Sequence, residues 1–277
     1  LEISLSSELK EDDSHLDDRI NFPEMESFIQ LMHKKIVRWT AEMDFEFLPF
    51  RHGTGAVANK APKNGSLQWK DDYTVIDRKV AIAARLTRTS LPRISNGIDD
   101  LPSKQVFVPK TAKTLRGICE ESVSRQFFQQ GVMRYWYRYI LRQPFLRRHF
   151  PIHDQTVNQD LACIGSLTGC VATLDLSKAS DTVSWNLVKR LFKGTVLYPW
   201  MIATRATSCK YQDNEVLPLR KFAPMGSALC FPTECFVFGA VVSVILDLYR
   251  QRNPINSICE DWSVYGDDII VAVEVAD

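Results

Sequence analysis

The sequence predicts an α+β protein. Apolar positions recur near helix period in several stretches, as at Phe28, Leu31, Met32, Ile36 and Trp39. Short runs of β-formers stand directly beside carboxylates: Cys170–Leu174 leads into Asp175, and Ser263–Val275 encloses Gly266-Asp267-Asp268. Hydrophobic residues make up 45% of the 277 residues and charged residues 24%, the balance of a chain that can bury a core. Bulk charge names no partner, because 34 basic and 33 acidic residues leave a net charge of +1; any nucleic-acid surface must come from local clustering. The 7 cysteines are odd in number and none are spaced C-x-x-C, which argues against a zinc site and a secreted disulfide framework and for a reducing cytoplasm. No signal peptide opens the chain.

In chain order, the acidic stretch Glu8, Glu11, Asp12, Asp13, Asp17 and Asp18 reads as a solvated surface or arm. A helix is expected within residues 22–50, then a turn-rich segment with Gly53, Gly55, Pro62 and Gly65, then a basic helix over 76–90 carrying Arg78, Lys79, Arg85 and Arg88. Residues 104–120 read as one strand, Gln105–Val108, followed by a loop. A long helix is expected over 121–143, a strand to Leu174, a helix over 182–192 and another over 231–250. The longest apolar run, Cys235 to Leu246, is too short to span a bilayer and reads as a buried helix, so no membrane partner is expected. The last element reads as two apolar strands around Gly266-Asp267-Asp268.

Four segments carry chemistry. In Val264-Tyr-Gly-Asp-Asp-Ile-Ile270, a Gly-Asp turn between β-formers predicts a hairpin with Asp267 and Asp268 at its apex. Adjacent carboxylates repel, and enclosing them by apolar strands is costly without a cation, so a divalent metal resolves the conflict; an exposed acidic turn is the plainer reading. In Val171–Thr182 an apolar strand delivers Asp175 at its C-terminal end, and Asp181 follows six residues later, where it also suits a helix cap. In Lys221–Glu234 the small residues Gly226, Ser227 and Ala228 let a backbone approach a substrate closely, or simply join a loop to a helix. In Pro109–Gly117, Lys110, Lys113 and Arg116 place three cations on one loop, suited to a triphosphate or to solvent. The segment with Arg134, Arg138 and Arg142 interleaves cations with aromatics, which fits an RNA path and an amphipathic core helix equally well. His149 and His153 are four apart with Pro151 between them, and read as surface residues.

The order of these parts is that of a palm-type polymerase. Asp154-Gln-Thr-Val-Asn-Gln-Asp-Leu-Ala162, Gly165-Ser, Ala172-Thr-Leu-Asp-Leu-Ser-Lys-Ala-Ser-Asp-Thr182, Met225-Gly-Ser and Val264-Tyr-Gly-Asp-Asp-Ile-Ile270 resemble motifs of the replicases of single-stranded RNA phages, the leviviruses. Pro109-Lys-Thr-Ala-Lys-Thr-Leu-Arg-Gly-Ile118 and Gly53-Thr-Gly-Ala-Val57 are similar too, and the resemblance runs from about residue 50 to the end. Better-known members carry Asn in place of Ser227 and Thr in place of Cys230.

This resemblance implies a right-hand palm-type polymerase of fingers and palm, with the thumb largely absent from the chain. Residues 1–160 would form the N-terminal region and fingers; residues 161–277 would form the palm, interrupted by a fingers segment around 195–222. The implied reaction is attack of an RNA 3′-hydroxyl on the α-phosphate of an NTP with two Mg²⁺ ions, Mn²⁺ being a possible substitute. Asp175, Asp267 and Asp268 would converge as catalytic metal ligands. Lys110, Lys113, Arg116, Asp181, Gly226 and Ser227 would bind the NTP, Asp181 by testing the ribose 2′-hydroxyl. Arg134, Arg138 and Arg142 are weaker RNA-contact candidates. Implied partners are template and nascent RNA, NTPs and the host elongation factors Tu and Ts, in the cytoplasm of a bacterial host.

A reverse transcriptase is the main alternative, disfavoured because Lys178, Ala179 and Ser180 offer no bulky aromatic near the sugar; a non-catalytic RNA-binding fragment is the other. Leu1 is not a methionine and Asp277 follows an apolar stretch, so both ends read as cuts in a longer protein. The piece is accordingly expected to lack a general-acid lysine and a duplex grip, and not to copy RNA efficiently alone.

Overall fold

A computed structural model of the chain describes residues 23–44, 48–58, 76–86, 98–211, 214–254 and 261–276. The acidic stretch from Glu8 to Asp18, Pro62 and Gly65 of the turn-rich segment, and Arg88 lie outside the described residues. In chain order the elements are α1 (Pro23–Thr40), β1 (Ile76–Asp77), α2 (Arg78–Leu86), β2 (Ile98–Asp99), β3 (Ser103–Pro109), β4 (Leu115–Glu120), α3 (Val123–Arg142), α4 (Pro144–His149), α5 (Thr156–Thr168), β5 (Val171–Asp175), α6 (Ala179–Thr182), α7 (Trp185–Phe192), α8 (Tyr198–Thr204), β6 (Ser208–Lys210), β7 (Val216–Pro218), α9 (Cys230–Arg252), β8 (Ser263–Tyr265) and β9 (Asp268–Ala272). They form two compact units that interleave along the sequence. Among the described residues, one unit draws on 44–135 and 196–230, the other on 23–43, 136–195 and 231–276.

The second unit is built on the antiparallel sheet β5-β9-β8. Its helix α1 buries Met32, Ile36 and Trp39 at helical spacing and packs on α7. Helix α7 is capped by Ser184, whose Oγ accepts from the Leu187 backbone N–H at 3.1 Å, and buries Trp185, Val188, Leu191 and Phe192. The helix expected up to residue 50 stops at Thr40, whose hydroxyl turns back to donate to the Ile36 carbonyl at 2.8 Å. An aromatic cluster ties these pieces together. Phe150 stacks on Phe236 with centroids 5.0 Å apart, and Trp39 meets both edge-on at 5.4 and 5.6 Å. Helix α9 outruns the apolar run read from the sequence. By length and composition it is able to cross a membrane, yet 72% of its most apolar window is buried inside the protein.

His149 corrects the sequence reading. It is not a surface residue: it is 6% exposed, and its ring stacks on Trp262 at 4.1 Å between centroids. Its Nδ1 lies 2.7 Å from the Trp262 carbonyl, and because a carbonyl only accepts, Nδ1 carries the proton. The Pro151 argument concerned one helical face; the burial comes from a residue 113 positions away. Burial pushes the His149 pKa down, with a further push from Arg148. The neutral ring is therefore at no disadvantage above the unfolded pKa of about 6.5. As pH falls below that value, the unfolded chain takes up a proton that the folded ring resists, and stability drops. A melting series between about pH 5 and 8 is expected to show this slope, and His149→Phe to flatten it. An unchanged slope in the variant would place its origin elsewhere.

The first unit carries the sheet β4-β3-β6-β7 and the short parallel pair β1-β2. Residues 115–120, read from sequence as loop, form strand β4 because β3 supplies a continuous partner, from Lys104↔Glu120 to Pro109↔Leu115. Here Arg125 is 2% exposed and forms ion pairs with Asp77 and, at 2.9 Å, with Glu121. Burial works against its charge, but the two carboxylates outweigh it and raise its pKa. The described cysteines are all unbridged. Cys119 and Cys209 lie 3.5 Å apart, and burial followed by their mutual hydrogen bond pushes the Cys119 thiol up to about 12.

Candidate active site

The sequence places Asp175 at the end of an apolar strand, and the structure gives that strand β9 as its neighbour. The register runs from Val171↔Ala272 to Asp175↔Asp268. Directly opposed residues of an antiparallel pair share a face, with Cβ atoms about 4.5–5.5 Å apart, and like charges in that position repel. Asp175 and Asp268 are therefore a facing carboxylate pair. Asp267 sits beside them in the two-residue loop between β8 and β9, where Tyr265 pairs with Asp268. Gly266 has φ 65 while Asp267 keeps a negative φ, the pattern of a II′ hairpin turn, which explains the glycine. A Cβ on Gly266 would also crowd the Phe231 ring. The Gly266 N–H donates to the Cys235 sulfur at 3.2 Å. Cys235 is fully buried, which pushes its thiol up to about 12 and keeps it an inert prop beneath the turn.

Asp175 and Asp267 are exposed and Asp268 is half-buried. The three do not form a closed cage: among the described residues no three His, Cys, Asp or Glu side chains gather to hold a metal. The donor set nonetheless fits a hard cation. It is all oxygen, it presents two facing anions, and Mg²⁺ needs only one or two carboxylates because substrate phosphates and waters complete its shell. Asp175 and Asp268 line a cleft of about 310 Å³ together with Gln155, Asn158, Gln159 and Thr173.

Sequence reasoning assigned no chemistry to Gln155 and Asn158. Gln155 Nε2 donates to Asp268 Oδ2 at 2.9 Å, and Asn158 Nδ2 donates to the Asp268 carbonyl at 3.0 Å. Asn158 is 5% exposed, and its Oδ1 is buried without a partner among the described residues. An unsatisfied buried acceptor costs roughly 1–3 kcal/mol. The i, i+3 spacing of the two amides, on one face of a helix, is the signal available in the sequence. Helix α5 approaches the sheet closely because Gly165 lies against the Val171 carbonyl, where a Cβ would stand 2.7 Å from the oxygen.

Asp181 is exposed on α6, with its N–H donating to the Lys178 carbonyl at 2.9 Å. It does not cap the following helix, since Ser184 does. Lys178 adopts the left-handed region, φ 56 and ψ 37, which a lysine rarely does; such strain collects near functional sites. Arg138 and Arg142 are exposed along α3, whereas Trp136 and Tyr139 on the same helix are buried, so those two aromatics serve the core.

In the other unit, Lys110 and Lys113 lie in the β3–β4 turn. That turn is fixed by the Lys110 N–H donating to the Thr114 carbonyl at 2.9 Å and by the Thr111 and Thr114 hydroxyls 2.7 Å apart. Arg116 is not on this loop but on β4, opposite Val108. All three cations are exposed. Gly226 has φ 110, and a Cβ there would collide with the Cys119 carbonyl. The backbone it admits is thus strand β4, with the Cys119 N–H donating to the Met225 carbonyl at 2.7 Å. Ser227 is 8% exposed, and its Oγ accepts from the Leu229 N–H at 3.4 Å. Arg134 donates to the Arg51 carbonyl at 3.4 Å.

The chain is similar to known proteins. The RNA-directed RNA polymerase beta subunit of Enterobacteria phage SP is 34% identical over 174 residues, covering 63% of this chain and 28% of the relative. The corresponding chain of Escherichia phage MS2 is 32% identical over 240 residues, 81% of this chain and 42% of the relative. That of Escherichia virus Qbeta is 30% identical over 262 residues, 91% and 41%. The chain thus spans less than half the length of these relatives. Among solved structures, the RNA-dependent RNA polymerase of a human picobirnavirus matches with a TM-score of 0.50 at 12% identity, over 94% of this chain and 51% of that one, a likeness of fold alone. The family described as "RNA replicase, beta-chain" matches residues 7–277. A match of that extent makes this chain a member of the RNA replicase beta-chain family.

Proposed function

We propose that the chain carries the nucleotide-adding centre of an RNA-dependent RNA polymerase that replicates a positive-strand RNA phage genome. The observation that carries this reading is the facing pair Asp175 and Asp268 beside the Asp267 turn. Asp175 and Asp267 would be the principal Mg²⁺ ligands and Asp268 a weaker one. Two bound Mg²⁺ ions would supply charge neutralisation at the attacking 3′-hydroxyl and the leaving pyrophosphate. The chain's own residues do the rest. The hairpin holds the carboxylates at the end of a three-stranded sheet, so little reorganisation is needed when substrate arrives. Lys110, Lys113 and Arg116 would take the triphosphate, with Gly226 and Ser227 as further NTP contacts. Arg138 and Arg142, exposed on α3, and Arg134 are the candidates for RNA phosphates. We assign the unit bearing Asp175 and Asp267 to the palm and the other unit to the fingers. Template and nascent RNA, NTPs and host elongation factors Tu and Ts are the proposed partners, in the cytoplasm of an infected bacterium.

Asp181 is assigned to ribose recognition, because an exposed carboxylate just past Asp175 accepts from a 2′-hydroxyl that DNA precursors lack. The test is primer extension with NTPs or dNTPs by an active version extended to the length of its relatives, as wild type and as Asp181→Ala. Wild type is expected to need a divalent cation and to prefer NTPs. The variant is expected to lose NTP use by roughly ten- to a hundredfold, the worth of one hydrogen bond to a charged acceptor, and dNTP use far less. Equal losses would remove Asp181 from substrate recognition, and preference for dNTPs by wild type would make the protein a reverse transcriptase.

A further inference from the structure

We infer that helix α5 supplies two positioning residues, Gln155 and Asn158, which aim Asp268 at the cation site. The inference rests on the polymerase reading and adds residues that the reaction scheme does not name. Three observations carry it. Gln155 occupies the N-cap of α5, a place favouring Ser, Thr, Asp or Asn, yet makes no capping bond; its amide goes to the Asp268 carboxylate. Asn158 is the one buried residue of a helix whose other positions are exposed or half-buried, and it is an amide rather than a hydrophobe. Among the described residues its one side-chain bond goes to the Asp268 backbone, while its side-chain oxygen has no partner. Leucine of similar size would suit that place better if packing were all it did. The two residues grip one aspartate at two points, its main chain and one carboxylate oxygen. Oδ1 of Asp268, which accepts no hydrogen bond among the described residues, is left for a cation.

Such outer-shell hydrogen bonds orient a metal-ligating carboxylate, and their loss typically lowers metal affinity by about 10–100-fold. The test is Mn²⁺ affinity by electron paramagnetic resonance, read beside melting temperature, for wild type and for Asn158→Leu, Gln155→Ala, Gln155→Glu and Asp175→Asn. Asn158→Leu is expected to weaken Mn²⁺ about tenfold without lowering the melting temperature. Gln155→Ala, at an exposed position that tolerates change, is expected to weaken it as well. Gln155→Glu should be worse than Gln155→Ala, because it replaces the donor with a carboxylate that repels Asp268, which already faces Asp175. If Asp175→Asn weakens Mn²⁺ binding while Asn158→Leu and Gln155→Ala leave it unchanged, the positioning role is overturned and the metal site stands. If Asp175→Asn also has no effect, the metal site itself falls. Should Asn158→Leu fail to fold, the two Gln155 variants decide the matter.

Discussion

In an active version extended to the length of its relatives, Asp175→Ala and Asp267→Ala are expected to abolish nucleotide addition, by about 10³-fold or more, while the chain folds as before. Removing one group that stabilises developing charge in a prepared site typically costs about 10²–10³-fold, and each of these residues would serve more than one oxygen. Both side chains are exposed, so neither substitution opens a cavity. Asp175→Ala goes further, since it removes one of two like charges opposed across β5 and β9. Its metal-free melting temperature is expected to equal or exceed that of wild type. Asp268→Asn should retain part of the activity, being isosteric and still able to accept from Gln155. Extension assays and thermal melts on the same preparations check all three. An Asp175→Ala protein that is both inactive and less stable would make that residue structural.

Arg125→Ala is expected to be the most damaging single change to stability away from the site, at about 3–5 kcal/mol. The guanidinium is matched by Asp77 from the strand β1 and Glu121 one turn before it, and also donates to the Leu101 carbonyl at 2.7 Å. All three charged groups are buried, so losing the cation leaves two carboxylates facing each other without water. Denaturant titration should show the loss, and partial recovery when Asp77 and Glu121 are replaced together by Asn and Gln. Failure of that rescue would assign the damage to the vacated volume instead.

The extent to which the sequence disclosed this molecule varies with the distance over which each feature is decided. The Asp267 hairpin was legible because Gly-Asp between β-formers is a local instruction, and Asp175 because its strand is apolar up to its last residue. Helix α3 and the long helix α9 were legible from their periodicity and apolar length. Strand β4 was not, because Leu115-Arg-Gly-Ile-Cys-Glu120 lacks alternation and becomes a strand only beside β3. The same blindness to long-range pairing hid the register that sets Asp175 against Asp268, more than ninety residues apart. It also hid the Trp262 carbonyl that buries His149. The Glu121–Arg125 spacing was visible in principle, but Asp77 lies 48 residues from Arg125 and gives the pair its buried character. Gln155 and Asn158 were quoted as part of a motif without a role, since nothing local says which strand an amide will meet.

The strand order β5-β9-β8 has a consequence for how the protein is made. The central strand is the last of the three to leave the ribosome. At roughly 5–20 residues per second, Asp175 waits about 5–20 s for the partner that completes its sheet. During that interval β5 presents an unpaired edge, and once made β8 does too until β9 slots between them. Non-local closure of this kind is slow and exposes edges to association with other chains. Slow or stalled translation between residues 175 and 268 should therefore lower the yield of folded protein out of proportion to the number of chains finished. Asp175 and Asp268, for their part, cannot face one another before the polypeptide is long enough to fold around them.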